Sequence, residues 1–394
     1  MHMERNASID RLLERHPGIV LVPGSSGNGA LIRANQLLAL PRDADHVHER
    51  AERWIEHRND ADPTVTVFHL NPRHNIDVSE LTVDLSEGSA HKTLNVGPNH
   101  IVTTQPEWHP SPYDDPKPAS AIATPPTDST VQTDITVALL DTGISQHQWF
   151  TNRKWFADCA LEVFEVPDAD NHGDLDSVAG HGTFIAGVVL QQAPDAQLVI
   201  NKIISGDGVT DELELFRRLT NLQSGTRESG KRIDILSLSL GCYTHDDKPS
   251  PVLEHAIRGF DRDTVIVACA GNAGSDRPFW PAALKRVIAV GSLDSQGHDR
   301  AQFSNYGWWV DACTLGQRVT STFFTYESDA TGDEKFAGFA RWSGTSFAAP
   351  RVAGAIAAQA ADQGVSATQA AADLLDPHNH VSIPDLGVLV DAAP

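Results

Sequence analysis

From residue 135 onward the chain keeps returning to one pattern: short, continuously apolar runs separated by segments with helical spacing. The runs are ITVALL (135–140), QLVINKII (197–204), DILSLSL (234–240), TVIVACA (264–270) and RVIAVGS (286–292). A strand that is apolar on both faces must be covered on both, and a parallel sheet with crossover helices is the arrangement that does so. Helices are expected over 182–190, 211–223, 251–260 and 346–361. The predicted fold class is therefore α/β, a doubly wound and mostly parallel sheet. In open sheets of this kind, chemistry collects at the carboxyl ends of the strands.

Ahead of this pattern, residues 105–128 hold Pro106, Pro110, Pro112, Pro116, Pro118, Pro125 and Pro126. Proline at that density continues neither a helix nor a central strand, so the stretch reads as an extended linker. It separates a small N-terminal α+β domain, 1–104, from a larger domain, 129–394. In the small domain ALIRANQLLAL (30–40) is strand-like. Asp43 is placed to cap a helix whose Val47, Ala51, Trp54 and Ile55 share a face. Further strands are expected at 65–70, 81–85 and 99–103. The histidines of this domain have no catalytic company, and most of them are expected at the surface.

The net charge of −22 argues against a nucleic-acid partner, which would call for clustered Lys and Arg. No run approaches the roughly 18 apolar residues of a membrane span. The longest small-residue run, 348–361, is broken by Pro350, Arg351 and Gln359. Residues 1–15 interleave acidic and basic side chains without an apolar stretch, so no secretory signal is expected and the expected location is cytoplasmic. Cys159, Cys242, Cys269 and Cys313 lack C-x-x-C spacing, which suggests free thiols and neither a metal site nor a cofactor.

Four short motifs carry candidate chemistry. The first apolar run ends in Asp141-Thr142-Gly143, and Gly180-His181-Gly182-Thr183 opens a helical segment. Gly344-Thr345-Ser346 opens another, where a nucleophile would meet the positive end of the helix dipole and free backbone N–H groups. Serine needs a base to take its proton, and the base needs an acid to fix its tautomer. Asp141, His181 and Ser346 supply those three parts. Ala270-Gly271-Asn272-Ala273 follows another run, and the Asn272 amide is a candidate donor to an oxyanion beside the Ser346 N–H. Alone, each motif has an ordinary structural reading as a cap or a turn; together they form a set.

The order Asp, His, Asn, Ser resembles the subtilisin-like serine peptidases. The matching segments are VALLDTGIS, GHGTFIAGVV, LSLSLG, ACAGNAG, WPAALKRVIAVGS, FSNYG and SGTSFAAPRVAGA. The resemblance implies a serine endopeptidase that forms an acyl-enzyme on Ser346, with protein or peptide substrates. It also implies that Ser239, Leu240 and Gly241 pair with substrate backbone by strand addition, and that Ala270 and Gly271 wall the primary pocket. By its place in the chain, the N-terminal domain is compatible with a propeptide-like folding assistant or inhibitor that contacts the catalytic domain; an accessory, partner-binding domain is the alternative.

The chain departs from the family pattern in four places. VVLQQAPDAQLVI runs without the calcium-binding loop of secreted relatives, Cys242 replaces a glycine, Cys269 lies beside the expected pocket, and an acidic insertion at 326–339 is expected to form a hairpin near the cleft. The rival from another class is a catalytically silent subtilisin fold used as a binding scaffold, which would have no need of all four polar residues.

Overall fold

The computed structural model describes residues 7–24, 29–87, 94–104, 115–125, 135–168, 175–230, 232–327 and 335–391. The chain divides into two compact units. The first combines Met1–Val102 with Thr210–Leu222 and Cys242–Gly259; the second combines Thr103–Val209, Gln223–Gly241 and Phe260–Pro394.

In the first unit an antiparallel sheet is built from β1 (Ile19–Val22), β2 (Ala30–Ala39), β3 (Ile55–Asn59), β4 (Thr66–Leu70) and β5 (Val96–Thr103). β2 lies between β4 and β5, and it also pairs with β1. Helices α1 (Pro41–Ala51) and α2 (Val78–Glu87) contribute Ala44, Val47, Val78, Leu81 and Leu85 to a core that includes Ile32, Leu37 and Phe68. Three expectations fail here. Residues 81–85 are helical, because Val78, Leu81, Thr82 and Leu85 follow a 3.6-residue period and are buried, whereas Val83, which completes the apparent alternation, is exposed. Asp77 caps this helix by accepting from Ser79 N and Glu80 N at 2.8 and 3.2 Å. Asp43 is not a cap: it is buried in the first turn of α1 and accepts from Asn95 N and Nδ2 at 3.2 and 2.6 Å. Trp54 closes a 3-10 turn and Ile55 opens β3, so neither continues the helical face. His100 is an exception among the histidines and is buried.

The second unit is organised around the expected parallel sheet. Its central strands are β6 (Thr136–Asp141), β7 (Gln197–Lys202), β8 (Ile235–Leu238), β9 (Val265–Cys269), β10 (Ile288–Leu293) and β11 (Ala312–Leu315). They run in the order β11-β10-β9-β8-β6-β7, all parallel, with Leu139 opposite Ser237 and Ser237 opposite Val267. Helices α3 (His181–Gln192) and α4 (Thr345–Gln363) are buried over most of their surface, as helices apolar on every side must be. A hairpin of β12 (Val319–Glu327) and β13 (Lys335–Trp342) precedes α4, in accord with the expected insertion; its tip lies outside the described residues. Of the proline-rich stretch, 105–114 and 126–128 lie outside the described residues. Within it, Lys117 and Pro118 pair with Arg341 and Ala340 of β13.

Candidate active site

Three elements bring the acid, the base and the hydroxyl together. β6 delivers Asp141 at its carboxyl end, where strand pairing stops and the carboxylate is free to accept. His181 opens α3, and Gly182 after it is required by close approach: a Cβ there would lie 2.2 Å from the Gly143 carbonyl. The glycine thus lets the helix start press against the loop that follows Asp141. Asp141 Oδ1 accepts from Thr142 N and meets His181 Nδ1, both at 2.8 Å. That bond fixes the proton on Nδ1 and leaves the Nε2 lone pair outward. Nε2 is buried and makes no hydrogen bond among the described residues.

The histidine ring is held by aromatic packing. Trp342 of β13 meets it edge-on with centroids 5.4 Å apart, and Phe347 of α4 lies at 5.3 Å. The hairpin also ties down the first turns of α3: Thr322 Oγ1 donates to Thr183 O and Ser321 Oγ to Phe184 O, both at 2.7 Å. The strands of the hairpin that carries the acidic insertion thus support the base.

Ser346 sits in the first turn of α4 and is 1 % exposed. Four residues on, Pro350 has no N–H, so the Ser346 carbonyl loses its normal helical donor. Ser239 supplies the replacement, its Oγ donating to Ser346 O at 2.7 Å. The Ser346 hydroxyl itself lies 3.3 Å from Thr104 O and 3.4 Å from Ser239 O, and it is not bonded to His181. Cys269, buried beside Ser346 and Thr345, has its thiol pushed up to about 12 by burial, so it is no competing nucleophile.

Thr345, between Gly344 and Ser346, organises the other wall. Its N and Oγ1 both donate to Asn272 Oδ1 at 2.8 Å, while its Oγ1 accepts from Gly271 N at 3.0 Å. With Oδ1 engaged by two donors, the Asn272 Nδ2 is the end left to face a ligand. Asn305, in the FSNYG segment, holds the same loop: Nδ2 donates to Ala270 O at 2.7 Å and Oδ1 accepts from Ala273 N and Ser275 N at 3.1 Å. The local signals for these two residues were present, G-T-S and F-S-N, but their partners lie roughly 30 to 70 residues away in sequence.

Of the remaining candidates, Leu240 is buried and Gly241 faces an extended segment of the chain. Gly241 N donates to Thr103 O at 3.0 Å, and Thr103 N donates to Gly241 O at 2.9 Å, forming an antiparallel bridge. A Cβ at Gly241 would meet Phe279 and the Trp280 carbonyl at 2.4 and 2.5 Å, so packing behind the strand demands glycine. Among the described residues no cluster of three or more His, Cys, Asp or Glu side chains could hold a metal ion. α3 reaches β7 through 193–196 alone, a connection too short for an inserted ion-binding loop.

A buried carboxylate–histidine bond, a helix-start serine and an anchored asparagine amide stand together at the carboxyl end of a parallel sheet, the arrangement expected of a subtilisin-like fold. The chain belongs to the subtilase family, whose sequence profile matches residues 132–376. It is 34% identical over 242 residues to a thermophilic serine proteinase of Bacillus sp. (strain AK1), covering 58% of this chain and 52% of that protein. It is 32% identical over 236 residues to subtilisin BL of Lederbergia lenta, covering 57% and 75%. The aligned stretch spans about half the length of the first of these relatives. Among solved structures, fervidolysin from Fervidobacterium pennivorans, a keratinolytic enzyme related to subtilisin, superposes with a TM-score of 0.57 at 17% identity, covering 91% of this chain and 60% of that one. At that identity the likeness speaks for the fold.

Proposed function

We propose that this chain hydrolyses peptide bonds through an acyl-enzyme on Ser346, and that its own segment ending at Thr104 occupies the cleft as an N-terminal inhibitor and first substrate. The observation that carries the catalytic part is the Asp141–His181 bond at 2.8 Å, with the buried Nε2 left open beside the helix that bears Ser346. In this reading the Ser346 hydroxyl turns from Thr104 O toward His181 Nε2, which takes its proton as Oγ attacks the substrate carbonyl carbon. The resulting oxyanion is met by Asn272 Nδ2 and the Ser346 N–H, and Asp141 stabilises the imidazolium. His181 then gives the proton to the departing amine, and water hydrolyses the acyl-enzyme by the reverse sequence.

Peptide substrate would bind by adding a strand against 239–241, with Ala270 and Gly271 lining the pocket. Support comes from the Thr103–Gly241 bridge, which already has that hydrogen-bond pattern. It sets the Thr104 carbonyl next to the nucleophile, so the bond offered is Thr104–Gln105. An extended segment tethered in the same chain competes at an effective concentration of roughly millimolar, which is enough for a weak inhibitor to hold the site.

Mass spectrometry of the purified chain tests both parts. Wild type is expected to yield a fragment ending at Thr104 and to react with a fluorophosphonate probe at Ser346; Ser346→Ala and His181→Ala are expected to do neither. Labelling that survives His181→Ala would overturn the catalytic assignment. An active chain that never cleaves at Thr104, and is not inhibited by added 1–104, would leave the N-terminal domain an accessory one.

A further inference from the structure

Close behind the Asp141–His181 pair lies a second acidic side chain that none of the steps above uses. Glu165 follows the 3-10 turn Leu161–Val163 and is far in sequence from both residues. Its Oε1 accepts from Thr142 Oγ1, and its Oε2 accepts from Thr183 Oγ1 at 2.5 Å and from Ser145 Oγ at 3.0 Å. The two threonine hydroxyls are themselves acceptors: Gly182 N donates to Thr142 Oγ1 at 2.9 Å, and Ser145 N to Thr183 Oγ1 at 2.8 Å. A hydroxyl that accepts on one side has its proton for the other, so both protons are directed at Glu165. The backbone holds the segment in place, with Ile144 N donating to Val163 O and Glu165 N to Ile144 O, both at 3.0 Å.

Thr142 follows Asp141 directly, and Thr183 lies two residues after His181. The Thr142–Glu165–Thr183 cross-link therefore joins the two turns that carry the acid and the base. We propose that Glu165 is a positioning residue for the Asp141–His181 pair, acting through these hydroxyls and through its charge; the proposal rests on the peptidase reading above. Glu165 is half-buried as a residue, with its carboxyl group turned inward. Burial raises its proton affinity, the Thr142 and Thr183 hydroxyls oppose that, and Asp141 raises it further. Nearby titratable groups among the described residues include His181, beyond Asp141, and Lys202, whose Nζ donates to Phe164 O at 3.1 Å. When ionised, Glu165 places a second negative charge behind Asp141 and favours the imidazolium. The acid limb of kcat/KM is where a change in that field is read.

Glu165→Gln keeps the shape and removes the charge. Read per fluorophosphonate-labelled site on a soluble peptide, it is expected to move the acid limb down by about half a pH unit. It should also lower kcat by about tenfold through loosened geometry, with KM within about twofold. Glu165→Asp keeps the charge but falls a methylene short of both threonines, so kcat should drop while the limb stays in place. A role confined to stability would move neither limb nor kcat once sites are counted. The same coupling is read without turnover in a Ser346→Ala background, by following the downfield Nδ1–H proton resonance of His181 against pH with and without Glu165→Gln. A wild type that hydrolyses nothing defeats the peptidase reading and leaves this titration informative. An unchanged His181 titration together with unchanged kcat overturns the proposal. Should Glu165→Gln not fold, Thr183→Val, which keeps the carboxylate and deletes one tether, must lower kcat with the limb in place; an unchanged kcat overturns it equally.

Discussion

At the scale of single residues, the site is a set of atoms whose alternatives have been used up. Asn272 shows this most clearly, because two donors from Thr345 hold its amide oxygen and leave only the N–H end for a ligand. Asn272→Leu removes that donor while the loop stays tied by Asn305. Turnover is expected to fall about 10²–10³-fold with KM little changed; subtilisin is itself the reference case for that magnitude. Steady-state kinetics on a soluble peptide checks it, and a loss expressed mainly in KM would remove Asn272 from the oxyanion role. Asp141, His181, Ser346 and Asn272 were legible in the sequence because each stands in a short motif at the end of an element. Thr345, Asn305 and Glu165 were not, because what they do is decided by partners brought in from distant segments.

At the scale of elements, the apolar runs were read correctly where burial on both faces leaves no periodicity to misread. The error at 81–85 arose where Leu81, Val83 and Leu85 imitate an alternating strand; packing of Val78 and Leu85 on one core chose the helix. β5 is the element with the most specific consequence, since its last residue exchanges two hydrogen bonds with Gly241. Thr103→Pro deletes the donor that reaches Gly241 O at 2.9 Å. Loss of one such bond, about 1 kcal/mol, is expected to slow self-cleavage after Thr104 roughly fivefold. The time course of fragment release on a gel checks this. An unchanged rate would mean that the bridge does not position the bond for cleavage.

At the scale of the whole molecule, two buried histidines contribute to the response to acid. His147, packed among Trp149, Phe150 and Phe339, is pushed down to about 4 by burial. His245 is also pushed down to about 4, by burial and by the neighbouring His100 ring. Both are neutral in the folded chain, while the unfolded chain protonates them near 6.5. The unfolded state therefore binds more protons as pH falls from about 6.5 to about 4, and stability is lost across that window. For His147 alone the loss is about 3 kcal/mol at the low end. His147→Leu should flatten the fall in the urea midpoint between pH 6.5 and pH 4, and a slope identical to wild type would show that His147 does not contribute.

The sequence alone determined the layered sheet and the ends at which its polar residues stand, because hydrophobic pattern and glycine-flanked motifs are local properties of the chain. The tertiary structure alone decided which atoms are occupied. Hydrogen-bond capacity is settled by whatever partner folding brings within 3 Å, so the Ser239 hydroxyl on Ser346 O, the Thr345 grip on Asn272 and the three hydroxyls on Glu165 exist only in the folded molecule.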